Sequence, residues 1–263
     1  MSAERAIDLN CDLGESFGNW RLGNDEELLP RITSANVACG FHAGDPVTMV
    51  DTVRRAAELG VAVGAHPGLP DLLGFGRRAM EISPEDAYAY VLYQSAALDG
   101  VARTFGVRLH HLKPHGILYT MLNDRPELAH AVADAFAAAM EAPVLYWPAG
   151  SEDGALVREC RDRGFRVVLE FYPDVTYTSD RRLVVDRRKG PLEPATAVER
   201  VARFLADGTA ATVDGGSIEL AGESICIHGD GPTAPAVVAA VREHLEREGW
   251  TVRAPAPVVE VAA

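Results

Sequence analysis

Cysteine is scarce in this chain of 263 residues. The four cysteines are Cys11, Cys39, Cys160 and Cys226. Their spacing does not match a zinc finger, and their density is too low for a disulfide scaffold. A reduced protein is the simplest interpretation. We expect buried apolar roles for these side chains, and a nucleophilic role is the less favoured alternative for the three that lie near predicted strand ends.

Long apolar runs are also missing. The most apolar stretches, such as residues 131–140, are too short and too interrupted to cross a bilayer. Glu4, Arg5 and Asp8 break any apolar run at the N-terminus, so no signal peptide is predicted. We therefore expect a cytoplasmic protein with no membrane partner.

Positive charge is in short supply. The chain has 25 lysine and arginine residues against 38 aspartate and glutamate residues. The net charge of -13 argues against nucleic acid and anionic membrane surfaces as partners. Lys113 and Lys189 are the only lysines, because arginine supplies the other basic residues. A lysine inside a polar motif is therefore unlike ordinary surface charge in this chain.

Two nucleotide-binding signatures are absent. The chain has neither a G-x-x-x-x-G-K-[ST] loop nor a dinucleotide-binding glycine fingerprint after its first strand. A nucleotide would have to be bound in another way. Residues 229–232, which read Gly-Asp-Gly-Pro before a predicted helix, are one candidate for contacting its phosphates. Arg77 and Arg78 are another.

A pattern of apolar strand, polar loop and capped helix recurs along the chain. Residues 34–45 illustrate it: an apolar run leads into a loop with His42, after which Asp45 and Pro46 have the residue types of a helix N-cap and first turn. About seven such units follow one another without a linker. Their predicted strands begin near residues 6, 34, 61, 108, 143, 165 and 224.

This alternation predicts an α/β fold, with a parallel sheet covered by helices. We expect a single (β/α) barrel over residues 1–254, with seven strands and incomplete closure. An open, doubly wound sheet is the alternative. Residues 255–263 are expected to form a loosely attached tail. The hydrophobic content of 48% and the charged content of 24% are ordinary for a globular domain.

Polar side chains gather where the predicted strands end, which is where such folds carry their sites. The residues at these positions are Asp12, His42, Asp45, His66, Asp71, Lys113, His115, Glu170, Asp174, His228 and Asp230. Histidines at four separate strand ends favour a catalytic or binding mouth over four independent structural roles.

Two kinds of chemistry remain open for such a mouth. Asp12, His42 and His66 are a plausible set of ligands for a divalent metal. Metal-free acid–base catalysis by a carboxylate and an imidazole is the alternative. In either case Lys113, beside His115, could stabilise an oxyanion or hold a substrate carboxylate.

Six motifs resemble the LamB/YcsF family, in the same order, between residues 6 and 253. They are DLNCDLGESFG from residue 8, SANVACGFHAGDP from 34, GAHPGLPD from 64, GFGRR from 74, KPHGILY from 113 and HGDGP from 228. The resemblance implies a seven-stranded TIM-like barrel of the glycoside hydrolase/deacetylase type. It also implies ring opening of 5-oxo-L-proline, a lactam, to L-glutamate, coupled to hydrolysis of ATP with Mg²⁺.

The resemblance further implies two partners, 5-oxoprolinase subunits B and C, because a chain of this family is not expected to complete the reaction alone. We interpret five residues as catalytic: Asp12, His42, His66, Lys113 and His115. The expected substrate-binding residues are Asn10, Asn36, Asp45, Arg77, Glu170, His228 and Asp230.

One region departs from the family pattern. Residues 170–177 are one residue shorter than the family motif and have Val175 where arginine is expected, and Arg187 lies one position late. Loss of a bidentate anion contact would alter the substrate more than the reaction class. A metal-dependent amidase or deacetylase that acts alone is an alternative hypothesis, and a non-catalytic binding protein is another.

Overall fold

The computed structural model describes residues 5–184 and 190–256. Strands β1 to β12 span, in order, Ala6–Leu13, Ser34–Ala38, Ala62–His66, His111–Leu112, Val144–Pro148, Arg166–Phe171, Thr176–Tyr177, Leu183–Val184, Thr209–Ala211, Ser217–Glu219, Ser224–Cys226 and Thr251–Val252. Helices α1 to α8 span Asp25–Leu28, Pro46–Glu58, Pro84–Thr104, Ile117–Asp124, Pro126–Ala139, Ala155–Asp162, Pro194–Asp207 and Ala234–Arg247.

Seven parallel strands close into a barrel. The hydrogen-bonded order runs from β1 through β2, β3, β4, β5 and β6 to β11. β11 then pairs back onto β1, with Asp8 opposite Ser224 and Asn10 opposite Cys226. The predicted seven-stranded barrel is confirmed. The prediction of incomplete closure is wrong, because the backbone pairing runs around the described ring without a gap.

Local signals in the sequence mark where two of the helices begin. The Asp45 carboxylate accepts hydrogen bonds from the backbone N–H groups of Val47 and Thr48, and Pro46 is the first residue of α2. Ser83 and Asp86 form a capping box at the start of α3. α2 and α3 therefore each start after a loop that follows a barrel strand, which places that loop at the rim of the barrel.

The side chains of β1 alternate between the two faces of the barrel wall. Leu9 and Leu13 belong to the apolar core between the strands and the surrounding helices. Asp8, Asn10 and Asp12 lie on the opposite face, inside the barrel, and are almost fully buried. The interior of this barrel is therefore polar, and its polar groups continue up to the C-terminal ends of the strands.

Two short hairpins lie outside the ring. β9 pairs antiparallel with β10 around the Asp-Gly-Gly sequence at 214–216, and β7 pairs antiparallel with β8. β4 is shorter than the predicted strand at 108–112, and α4, which follows Gly116, was not predicted. None of the described helices has the length and apolar character needed to cross a membrane.

Parts of two sequence-based predictions lie outside the described residues. Arg187, in the region that departs from the family pattern, is one of them, and residues 257–263 of the predicted tail are the others. The assignment of residues 1–254 to a single domain stays a prediction, as does the loose attachment of the tail.

Candidate active site at the barrel mouth

The C-terminal ends of the barrel strands surround a small cleft, which we call the mouth. Asp12 lies near the end of β1, His66 ends β3 and Lys113 directly follows β4. Together with His115 and His228 they line a cavity of about 80 Å³. This volume accommodates a few water molecules or part of a small ligand. Side chains from remote parts of the chain thus meet at one opening.

A buried ion cluster forms the floor of the mouth. The Lys113 ammonium donates hydrogen bonds to Asp12 Oδ1 at 2.9 Å and to Cys226 Sγ at 2.9 Å, and lies 3.4 Å from Glu170 Oε1. Burial favours the neutral amine, but these three neighbours outweigh it and hold the pKa of Lys113 well above its usual value. The ammonium is therefore charged throughout the neutral pH range.

Asp12 is the anionic partner of this cluster. Burial raises the pKa of its carboxyl, but the charges of Lys113 and His66 outweigh burial and leave the pKa well below the usual value. Asp12 Oδ2 lies 3.5 Å from His66 Nε2 and 3.8 Å from His228 Nε2. The carboxylate thus links the lysine to two histidines at the mouth.

Three histidines pack against one another beside this cluster. His42 and His115 stack with ring centroids 3.7 Å apart and nearly parallel planes, and His66 meets both edge-on. Burial is the main reason that the pKa values of His42 and His115 lie well below the usual value. Gly68 and Gly76 make this packing possible, because a Cβ on either would overlap the His42 side chain.

Glu15 completes a group that could hold a metal ion. Glu15, His42, His66 and His115 each place one ligand atom within 4.8 Å of the others, and all four side chains are buried. The metal set expected from the sequence was Asp12, His42 and His66. In the structure Asp12 is engaged with Lys113, while Glu15 and His115 lie beside the other two histidines.

Amide and hydroxyl groups position the carboxylates from below. Asn36 Nδ2 donates to Asn10 Oδ1 at 2.7 Å and to Asp12 Oδ1 at 2.9 Å. Asn10 Nδ2 in turn donates to Glu170 Oε1 at 2.8 Å, and the Tyr172 hydroxyl donates to Glu170 Oε2 at 2.7 Å. Asn10, Asn36 and Glu170 are fully buried, so they act on a ligand mainly through the groups that they hold.

His228 and Arg77 lie at the more exposed edge of the mouth. His228 Nδ1 is 2.9 Å from Asp174 Oδ2, which also accepts from the His228 backbone N–H. This contact places the hydrogen on Nδ1 and leaves Nε2 on the side of Asp12. Arg77 Nη2 lies 3.5 Å from Asp230 Oδ2. Both pairs combine a cationic or basic group with a carboxylate beside the cleft.

Two candidate residues lie apart from this group. The Asp45 carboxylate caps α2 and accepts from the backbone N–H of Gly18, in the loop after β1, at 2.7 Å. Arg78, considered with Arg77 as an anion clamp, instead binds Asp71 through its Nε at 2.8 Å. A substrate-binding role for Asp45 stays a prediction without a neighbour in the mouth to support it.

Sequence reasoning missed two members of the site. Glu15 lies in a loop with several carboxylates and glycines, and no local pattern marks which carboxylate turns inward. Tyr172 follows a buried strand and reads as one more apolar residue, yet its ring lies 5.3 Å from the Lys113 ammonium. The strand-end position of Tyr172, two residues after Glu170, is the only signal that could have identified it.

Comparison with known proteins places this geometry among its relatives. A model of the LamB/YcsF family matches residues 7–260. A protein of Brevibacillus brevis, named as a 5-oxoprolinase subunit with the designation A, is 48% identical over 252 residues, which cover 95% of this chain and 98% of that protein. The crystal structure of a lactam utilization protein from Thermus thermophilus has a TM-score of 0.86 at 43% identity and covers 95% of this chain and 99% of that one.

A more distant likeness concerns the fold alone. The structure of a peptidoglycan deacetylase from Bacillus subtilis has a TM-score of 0.50 at 14% identity, and covers 95% of this chain and 88% of that one. The barrel is thus TIM-like and resembles the deacetylase type.

Proposed function

Because the chain belongs to the LamB/YcsF family, we propose that it is the component of a 5-oxoprolinase that binds the lactam and opens its ring to give L-glutamate. One observation carries the proposal: 48% identity to a protein named as a 5-oxoprolinase subunit, over nearly the whole of both chains. The arrangement of charged and basic groups at the mouth supports it, since these groups suit attack on an unreactive amide.

The proposal includes ATP, with Mg²⁺, and two partners, subunits B and C. A lactam carbonyl is a poor electrophile, and transfer of a phosphoryl group to its oxygen makes attack by water feasible. The relative's name, which designates one lettered component, supports the presence of other subunits. At the mouth, Arg77 and the loop at 229–232 before α8 are the groups that we assign to the phosphates. ATP and four free cysteines fit a cytoplasmic location.

Lys113 is the residue that we assign to the reacting carbonyl. Its ammonium is charged, lines the cavity and is fixed by Asp12 and Glu170. A fixed positive charge in a buried site stabilises the negative charge that builds up on the phosphorylated oxygen and its phosphate as water attacks. Because its neighbours already position it, little reorganisation is needed when that charge forms.

His228 is the residue that we assign to the attacking water. Asp174 holds its Nδ1–H, so that Nε2 is free to accept a proton from water as the oxygen attacks the carbonyl carbon. His228 then returns this proton to the leaving nitrogen, so that the same imidazole serves first as base and then as acid. The carbon–nitrogen bond of the ring breaks as this proton is delivered, and the phosphoryl group leaves as inorganic phosphate.

The test is reconstitution. The purified chain is mixed with its two partners, ATP, Mg²⁺ and 5-oxo-L-proline, and glutamate and ADP are measured together. We expect both products to form in equal amounts, and no glutamate when the chain, ATP or either partner is omitted. No glutamate from a mixture whose partners are active with a homologue of this chain would contradict the proposal.

A metal-dependent amidase or deacetylase that acts alone is the second candidate, and the group of Glu15, His42, His66 and His115 favours it. This candidate predicts hydrolysis of a simple amide or an acetylated sugar by the chain without ATP or partners. The lactamase proposal predicts none. The two are therefore distinguished by the requirement for ATP, whatever the metal content of the protein.

A further inference from the structure

His66 and His115 face each other through two ring nitrogens, and in the neutral imidazoles neither of these nitrogens carries a hydrogen for the contact. His66 Nδ1 lies 2.6 Å from the backbone carbonyl oxygen of Lys113, and His115 Nε2 lies 2.8 Å from that of Phe75. A carbonyl oxygen can only accept, so both of these nitrogens carry a hydrogen. In the neutral imidazoles the two remaining nitrogens are then bare. These are His66 Nε2 and His115 Nδ1, which face each other at 2.9 Å.

Two lone pairs at that distance repel, so a cation must lie between or beside them. Either one extra proton is shared by the two rings, or a metal ion is bound by both nitrogens. The outer contacts are those of metal-binding histidines, which usually donate their second N–H to a backbone carbonyl or a carboxylate and so fix the nitrogen that faces the metal. The arrangement distinguishes these two rings from histidines that merely fill space.

His42 supplies a second, independent observation. Its side chain is fully buried, and neither of its ring nitrogens has a hydrogen-bond partner. Buried polar groups are nearly always satisfied, so an unpaired imidazole calls for an explanation. Gly68 lies against Nδ1, and Nε2 points towards Glu15, whose Oε1 is 3.7 Å away. That gap is too long for a hydrogen bond but fits two ligands of one ion.

The charge around the group also favours a cation. Glu15 is buried, and a buried carboxylate is costly unless a cation pairs with it. Lys113 is committed to Asp12, Cys226 and Glu170, and its described contacts do not include Glu15. A divalent ion next to Glu15 would stabilise its carboxylate, just as Lys113 stabilises that of Asp12.

We propose that Glu15, His42, His66 and His115 bind one divalent transition-metal ion of the zinc type. Three imidazole nitrogens and one carboxylate oxygen form a donor set that suits Zn²⁺, and ligands at bond lengths of about 2.0–2.1 Å would lie roughly 3.4 Å apart in a tetrahedron. The measured separations of 2.9 and 3.7 Å bracket that value. The site concerns the same mouth as the proposed function but does not depend on a lactam being the substrate.

The experiment uses the untagged full-length chain, without partner subunits. The protein is stripped with a chelator, dialysed and titrated with Zn²⁺ in a calorimeter, and the bound metal is counted by elemental analysis. We expect one ion per chain and a higher unfolding temperature with the ion bound. Repeating the titration in buffers of different ionisation enthalpy should show release of at least one proton per ion, because the metal displaces the proton shared by His66 and His115.

Two variants and one control make the assignment specific. Glu15→Gln keeps the shape of the side chain, and His42→Ala removes the unpaired ring; each should weaken Zn²⁺ binding at least tenfold. His130→Ala, which changes an exposed histidine, should bind as the wild type does. Circular dichroism shows whether each variant is folded, and Glu15→Gln remains informative if His42→Ala is not.

Several results would overturn the proposal. These are a stripped wild-type chain that binds no Zn²⁺, binding without proton release, and equal binding by Glu15→Gln and His130→Ala. The first would leave the shared proton as the cation between the two rings. None of these results bears on the reconstitution of lactam hydrolysis, so failure of the metal site and failure of the proposed function are distinguishable.

Discussion

Lys113 is the residue on which the charge balance of the mouth depends. Its replacement by methionine keeps the length of the side chain but removes the charge that stabilises both Asp12 and Glu170. We expect kcat of the reconstituted reaction to fall by about 10²- to 10³-fold or more, as when one preorganised donor is removed from an active site. Glutamate release in the reconstituted mixture measures the effect.

The same substitution should also cost stability. Breaking a buried ion pair from one side leaves an uncompensated charge, which typically destabilises a protein by about 3–5 kcal/mol. Urea unfolding at neutral pH measures this loss. Arg54→Met breaks exposed ion pairs with Asp51 and Glu58 on α2 and is the matched control, for which we expect little change in either quantity. A Lys113→Met protein with near-normal turnover would contradict the assignment of Lys113 to the carbonyl.

The individual site residues could be predicted from sequence to different degrees. Asp12, His66 and Lys113 stand at the ends of recognisable strands, and the barrel brings such ends together. Glu15 could not be selected, because its inward position depends on how the loop after β1 packs against His42. The pairing of His66 with His115 depends on backbone carbonyls at residues 113 and 75, which no pattern of side chains encodes.

At the scale of elements, β1 carries a buried carboxyl group, Asp8, whose contribution to the free energy of unfolding depends on pH. Asp8 is buried, and burial raises the pKa of its carboxyl even though Ser224, Thr33 and Ser34 donate hydrogen bonds to it. Folded Asp8 therefore holds its proton at pH values where the unfolded chain, with a pKa of about 3.9, has lost it. Between these two pKa values the folded state binds more protons, so stability falls as pH rises.

Asp8→Asn should remove this contribution. Between the unfolded and the folded pKa of Asp8, its titration lowers the free energy of unfolding by about 1.4 kcal/mol per pH unit. The amide of the variant does not titrate and has no such effect. Urea unfolding from pH 4 upwards should therefore give a flatter stability profile for the variant. Asp153→Asn, which changes an exposed carboxylate, should keep the wild-type slope. Parallel profiles for Asp8→Asn and the wild type would show that Asp8 is not the source.

β3 tolerates no side chain at its centre. A Cβ on Gly64 would overlap the ring of His111, which contacts Asn36 Oδ1 at 2.7 Å and stacks on Tyr146. Gly64→Ala should therefore lower the free energy of unfolding by about 1–3 kcal/mol, as overpacking does in other cores. Gly100→Ala is the matched control, because nothing lies near Gly100 on the exposed face of α3.

The control should change in the opposite direction. Alanine is favoured over glycine inside a helix by about 1 kcal/mol, so Gly100→Ala should stabilise the protein. Denaturant unfolding of both variants measures the contrast. Equal effects of the two substitutions would mean that the His111 ring moves aside at little cost.

Elements were predicted well where their signals are local. Asp45 with Pro46, and Ser83 with Pro84, mark the starts of α2 and α3 in the sequence and in the structure. The helix at Ile117–Asp124 was not predicted because its N-cap, Gly116, has no side chain that could mark a helix start in the sequence. Gly116 has a positive φ of 55°. The start of this helix is set instead by a backbone bond from Ile117 N–H to the Gly76 carbonyl oxygen.

At the scale of the whole molecule, closure of the barrel was beyond the reach of the sequence. Alternation of strands and helices predicts a parallel sheet, but both an open sheet and a barrel satisfy it. Closure depends on the pairing of β11 with β1, in which Asp8 lies opposite Ser224. These two residues are separated in sequence by nearly all of the barrel. Only the summed packing of the intervening helices decides whether those two strands meet.

The backbone contacts that close the N-terminal end of the barrel lie far from the residues of the mouth. β12 pairs with Ala6 and Ile7 at the start of β1, whereas Asp12 lies near its end, roughly 17 Å further along at the usual rise of a strand. Thr251 N–H donates to the Arg5 carbonyl oxygen at 2.8 Å, and Arg253 N–H donates to that of Ile7 at 3.0 Å. This end of the barrel is thus held by backbone bonds and carries none of the mouth residues described above.

A chain that ends at Gly249 should therefore lose stability but keep its chemistry. It lacks the backbone bonds of residues 251 and 253 to the start of the barrel chain, the contact of His110 Nε2 with the Pro255 carbonyl oxygen, and the packing of Trp250 against the core. The three hydrogen bonds alone account for about 2–4 kcal/mol at the usual net value per bond, so we expect at least that loss. A chain that ends at Ala256 keeps all three and is the control. Urea unfolding should separate the two chains, whereas kcat and KM, measured well below the unfolding temperature, should agree. A change in KM for the shorter chain alone would mean that this end of the barrel positions the mouth, because residues 250–256, which distinguish the two chains, lie at the opposite end of the barrel.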